Sequence, residues 1–166
     1  MAYGKSDVSG VGGWLALFLV SFALILPIVP ILVIVRGLLG HPAGLVLPGL
    51  PGWLSYRLVS ITCCTAEVIL CWLVTWRLIR VPRWSSVRFA IIGMLLVGPG
   101  FVVLDMVAAA AFFGVPVDAL PRTYALGMLR AGGYCAIWIA YFLRSQRVAN
   151  TYPRPSDEQR LTAVFS

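Results

Sequence analysis

Four stretches of this chain, Gly13 to Val35, Leu58 to Trp76, Phe89 to Phe113 and Tyr124 to Leu143, are long, apolar and almost free of charge. No other feature restricts its fold as much. A hydrocarbon layer of about 30 Å is crossed by roughly 20 apolar residues, at about 1.5 Å of helix rise each. Each stretch meets that length. Inside hydrocarbon, backbone N–H and C=O groups must be bonded within the segment itself, which leaves the helix as the form for such runs. A soluble domain fails on surface area. With 166 residues, 60% hydrophobic and 11% charged, the chain cannot hide its apolar area in one small core. The expected fold is all-α: a four-helix transmembrane domain over residues 1–152, followed by a polar tail over 153–166.

Lys5 ahead of the first run invites comparison with a signal peptide. The run is too long for an h-region, however, and no small-x-small cleavage site follows it. It reads as a retained span, with Trp14 as an interfacial anchor and a kink at Pro27 and Pro30. Those prolines free carbonyls that a neighbouring helix must help to satisfy.

Charge outside the spans predicts orientation. The loop between spans 2 and 3 carries Arg77, Arg80, Arg83 and Arg88 with no acid, and the tail carries Arg144, Arg147, Arg154 and Arg160 against Asp157 and Glu158. The other two loops hold Arg36, Arg57 and Arg122. Cations favour the cytoplasmic side, so both termini and the middle loop are expected inside. The net charge of +7 therefore reads as membrane topology rather than nucleic-acid binding. Arg77, Arg80, Arg83, Arg144 and Arg147 are the candidates for a cytoplasmic interface or a contact with anionic lipid headgroups. The first external loop, with its "GHPAGLVLPGLPGW", is apolar enough to dip back towards the membrane. The tail beyond Tyr152 is expected to be mobile.

Three ionisable residues fall inside spans: Glu67, Asp105 and Arg130. From the outer helix ends they lie about 15, 12 and 9 Å deep at 1.5 Å per residue, so three helices place them at similar depth. A charge at a helix centre costs at least ~2.5–3.5 kcal/mol, which pairing reduces. Arginine's planar fork suits a carboxylate, so Arg130 is expected to pair with Asp105 or Glu67. The other acid would be protonated, hydrogen-bonded or open to a narrow aqueous cleft. Ser60, Cys64, Glu67 and Cys71 recur at the helix period and give one weakly polar stripe. Gly127, Ala131, Gly132 and Gly133 are small enough for close helix packing in span 4, and Ala108 to Ala111 near Asp105 in span 3.

Chemistry motifs are missing. Cys63, Cys64, Cys71 and Cys135 have neither zinc-type nor C-x-x-C spacing and read as small fillers. His41 is the single histidine, so the chain alone cannot supply two haem ligands. No P-loop, dinucleotide fingerprint or nucleophile elbow appears. The chain reads as non-catalytic and without a cofactor.

"AIWIAYFLRSQRVANTY", Ala136 to Tyr152, resembles the end of the DUF2569 family of bacterial membrane proteins, where this stretch runs close to I-W-I-P-Y-F-x-x-S-x-R-V-x-x-T-F/Y. Ile137, Trp138, Ile139, Tyr141, Phe142, Ser145, Arg147, Val148, Thr151 and Tyr152 match, and Ala140 stands in place of the proline. "GGWLALF", Gly12 to Phe18, resembles the family's G-G-W-L start. The resemblance implies four spans in a bacterial cytoplasmic membrane, and it implies no particular activity. Two functional readings follow. The leading one is a non-catalytic accessory or assembly subunit of a larger membrane complex, with a membrane-protein partner. The alternative is a small proton- or ion-coupled carrier, alone or as a homo-oligomer, built on Glu67, Asp105 and Arg130.

Overall fold

The computed structural model describes residues 12–38, 51–114 and 120–153. Among the described residues there are helices and no strands. Four helices are long and apolar enough to cross a membrane: Trp14–Arg36, Trp53–Arg80, Trp84–Phe113 and Tyr124–Arg144, here spans 1 to 4. The chain is a multi-pass membrane protein. Lys5, His41, the tip of the first external loop and the tail beyond Pro153 lie outside the described residues, and with them the expectations of a re-entrant dip and a mobile tail.

Span 2 outruns its apolar stretch by about a turn at each end. Trp53, Tyr56 and Arg57 at the start, and Arg77 and Arg80 at the finish, have amphipathic side chains that let a helix continue into the headgroup layer. Gly52, in front of it, has φ +84, and a Cβ there would lie 2.5 Å from the Phe112 carbonyl oxygen. Only glycine allows that chain direction so close to the end of span 3. Span 3 starts at Trp84, earlier than its apolar run, directly after the Val81-Pro82-Arg83 turn. The residue before a proline leaves the helical region, so the turn is set by Pro82. Ser86 ties it off by donating to the Val81 carbonyl at 2.7 Å.

Wider, π-helical turns interrupt the two spans that carry prolines. Span 1 has π-helical turns at Ser21–Ile25 and Val33–Leu38, and span 3 has one at Leu96–Gly100 around Pro99. Pro27 cannot donate to the carbonyl four residues back, and that carbonyl, on Ala23, accepts instead from the Trp72 indole of span 2 at 3.2 Å. In span 3 the Met94 carbonyl, five residues before Pro99, accepts from Cys135 Sγ of span 4 at 3.3 Å. A neighbouring helix thus fills the bond that Pro27 vacates, as a hydrocarbon surrounding demands.

Packing divides the bundle into two halves. Leu15, Phe18 and Phe22 of span 1, Cys71, Val74 and Leu78 of span 2, Val87, Ala90 and Met94 of span 3, and Cys135 and Phe142 of span 4 form one buried core. All of them lie in the half that contains both described chain ends. A Cβ on Gly93 would come within 2.6 Å of Val74 Cγ2, so spans 2 and 3 touch at van der Waals distance there. Phe18 stands edge-on to Trp138 at 5.1 Å and to Phe142 at 4.8 Å between ring centroids. These T-shaped contacts join the first span to the last.

The two stretches that carry the family resemblance meet at this end. Ser145 closes span 4 and caps the short helix Gln146–Thr151 by accepting from the Val148 N–H. Thr151 donates to the Arg147 carbonyl at 2.8 Å, and Val148 and Tyr152 are fully buried. The Tyr152 hydroxyl then donates to the Leu78 carbonyl at 2.7 Å. That carbonyl belongs to the last turn of span 2, which has no partner within its own helix. Burial, with the nearby Tyr141, pushes the Tyr152 hydroxyl up to about 12. Arg147 lies against Gly12, where a Cβ would fall 2.7 Å from its Nη1.

Candidate functional site

The other half of the bundle is hollow. A cavity of about 650 Å³ is lined by residues from all four spans, within the ~300–1,000 Å³ range of small-molecule sites. Span 1 reaches span 4 through its first half, by Trp14, Phe18 and Ser21, and its second half packs on span 2. The cavity separates that second half, with Ile25, Val29 and Val33, from Gly127, Arg130 and Tyr134 of span 4. The π-helical turns of span 1 lie on either side of this departure.

Glu67, Asp105 and Arg130 all line this cavity. The expected arginine–carboxylate pair does not form. Among the described residues no cation comes within 4.0 Å of either carboxylate. Asp105 is held by two tyrosines instead, Tyr56 Oη donating to Oδ1 and Tyr124 Oη to Oδ2, both at 2.9 Å. Two phenol donors satisfy a carboxylate at a lower desolvation cost than a guanidinium, whose own charge would have to leave water as well. Arg130 is exposed at the edge of the cavity, free to extend towards the headgroup layer. Glu67 is half-buried, and no hydrogen bond fixes its carboxyl among the described residues.

Tyr56 and Tyr124 were not readable as site residues. Each lies in the first turn or two of its span, where a tyrosine ordinarily signals an interfacial belt. Tyr134, also on the cavity wall, is bound to Ser21 of span 1 at 2.9 Å. Ser21 has one proton and donates it to the Phe18 carbonyl at 2.8 Å, so Tyr134 is the donor in their contact.

The small residues of span 4 divide. Ala131 packs on Gly98, where a Cβ would be 3.5 Å away, and Gly127 packs on Val102 at 3.7 Å. Gly132 and Gly133 have nothing within 4 Å of a Cβ position, so they do not serve the close approach expected of them within this chain. A close interhelical approach is instead at Gly93 in span 3, which a search for small-x-x-x-small spacing in span 4 overlooks. The arginines also divide. Arg80, Arg83 and Arg144 are exposed, whereas Arg77 lays its guanidinium 4.8 Å over the Phe89 ring and Arg147 turns inward to Gly12. Cys63 and Cys64 line the cavity, while Cys71 and Cys135 are buried in the packed half. Among the described residues no group of three or more His, Cys, Asp or Glu is placed to hold a metal.

No curated protein and no solved structure matches the chain. The family model described as "Protein of unknown function (DUF2569)" matches residues 8–153, nearly the whole of it, taking in both the Gly-Gly-Trp start and the Tyr152 end that interlock in the fold. The chain belongs to the DUF2569 family.

Proposed function

We propose that the chain is a small carrier of a bacterial cytoplasmic membrane, non-catalytic, with both termini in the cytoplasm, and that the hollow half of the bundle is its binding site. One observation carries this reading: a cavity within the span region, walled by all four spans, contains a glutamate whose carboxyl no group among the described residues holds. An acid placed there for structure alone would be paired, as Asp105 is. Glu67 is the coupling carboxylate, the group that exchanges a proton or ion against cargo. Asp105 is held in place by its tyrosines, and Arg130 stands at the rim.

Natural cysteines supply the test. A chain with Cys71→Ala and Cys135→Ala retains only Cys63 and Cys64, on the cavity wall. A charged methanethiosulfonate reagent that cannot cross lipid is added to right-side-out and to inverted vesicles. Labelling of Cys64 from both faces is expected of a carrier. Labelling from one face alone, or from neither, overturns carriage.

A second reading, an accessory or assembly subunit docked on another membrane protein or on a second copy, is supported by the open Gly132–Gly133 face of span 4. A Gly133→Leu variant that keeps its fold and loses a stoichiometric partner in lipid-retaining detergent would favour it. Under either reading the exposed Arg80, Arg83 and Arg144 supply a contact for anionic headgroups.

A further inference from the structure

The cavity has a hydrogen-bonding polarity. Tyr56 and Tyr124 direct their hydroxyl protons to Asp105, and Tyr134 directs its proton to Ser21. Each phenol oxygen keeps its lone pairs, and so does each Asp105 oxygen beyond the one bond it accepts. Glu67 adds an acceptor with no donor among the described residues. Ser60, the remaining hydroxyl on the wall, sits beside the Tyr56 hydroxyl. The other potential donors are the weak thiols of Cys63 and Cys64 and the exposed guanidinium of Arg130. Among the described residues the interior is therefore rich in acceptors and poor in donors. With both acids ionised, the two carboxylates and one guanidinium among the described lining residues leave it one positive charge short of neutrality, within walls that are otherwise mainly aliphatic and aromatic. A guest that satisfies this set has one cationic, N–H-donating head and an apolar body.

We infer that the cavity takes an amphiphilic monocation, its ammonium head donating to Glu67, with Asp105 adding negative charge to the same cavity, and its apolar body lying along Val29, Val33 and Phe101. This deepens the carrier reading and rests on it. Arg130, at the rim, repels a second cation and sets the limit at one positive charge. An amphiphilic anion would meet two carboxylates and a ring of phenol lone pairs, with Arg130 alone in its favour.

The test uses probes matched in shape and opposite in charge: 4-phenylbutylammonium and 4-phenylbutyrate. Each is titrated separately into the full chain in mild detergent by calorimetry, with protein-free micelles as the blank. Saturable binding of the ammonium and none of the carboxylate is expected. Glu67→Gln should weaken the ammonium about tenfold or more, the scale of one lost charge-assisted bond. Should that variant fail to fold, Asp105→Asn gives the same readout. Binding of the carboxylate in place of the ammonium would overturn the cation inference and leave the cavity as a binding site. Binding of neither, with Cys64 still labelled from both faces, would reject the monocation alone. Binding of neither with Cys64 closed would reject both.

Discussion

Tyr152 shows how a single hydroxyl outside the spans can close a helix it does not belong to. Its bond to the Leu78 carbonyl supplies a partner that span 2 cannot find for itself. Tyr152→Phe keeps the ring and loses the bond, so a cost of about 1–3 kcal/mol is expected, the range for a buried acceptor left unsatisfied. The sign with pH follows from the raised value of about 12 against an ordinary value of 10.0. The folded protein holds the phenol proton more tightly than the unfolded chain, so this stabilisation is whole below pH 10 and is lost as pH rises towards 12. Thermal unfolding of wild type and Tyr152→Phe in detergent should therefore converge across that window. Parallel curves would remove the bond from the account. Inside the membrane a smaller effect is expected. Tyr124→Phe deletes one of the two donors to Asp105, and interhelical hydrogen bonds in membranes average about 0.6 kcal/mol in double-mutant cycles. A denaturation cycle of Tyr124→Phe with Asp105→Asn should yield a coupling of that size. A value near zero would mean that water, not Tyr124, satisfies the carboxylate.

Among the elements, span 1 depends most on its neighbours, because Pro27 leaves the Ala23 carbonyl to the Trp72 indole. Trp72→Phe should destabilise the native chain by about 1 kcal/mol and should cost measurably less once Pro27→Ala has restored the internal bond. Equal costs in both backgrounds would show that the indole contributes only area. The need for an outside donor was legible in the sequence, since proline in a span frees a carbonyl by necessity. Its donor was not, because a tryptophan near the end of an apolar run looks like an interfacial anchor whichever way its N–H points. Helix packing was misjudged for a related reason. The spacing of Gly127, Ala131, Gly132 and Gly133 identifies a small face, but a face packs only where another helix meets it. The π-helical turn at Leu96–Gly100 brings span 3 to Ala131 and leaves Gly132 and Gly133 open.

For the whole molecule, the count of four helical spans followed from apolar run length alone, because hydrocarbon leaves the backbone few options. The three intramembrane charges were also legible as residues to examine, and they do line one cavity. Their partners were hidden, since the tyrosines that hold Asp105 come from two different spans and lie 49 and 19 residues away from it in sequence. The division into a packed half and a hollow half has a consequence for dynamics. Backbone amides around Val59 to Glu67 and Val102 to Asp105 should exchange hydrogen faster than those around Cys71 to Leu78 and Val87 to Met94. Exchange mass spectrometry of the detergent-solubilised chain would measure this directly, and uniform protection along each span would contradict it.

The contact of Phe18 with Trp138 and Phe142 also has a bearing on biosynthesis. The chain is made from its N-terminus, so span 1 enters the bilayer first and meets its aromatic partners last, after more than a hundred further residues have been added. Until then Phe18 lacks its edge-on contacts with span 4, and Gly12 has no Arg147 to lie against. Closure of the four-span bundle waits on its last span, and the residues that perform it are the ones at the two ends of the family match.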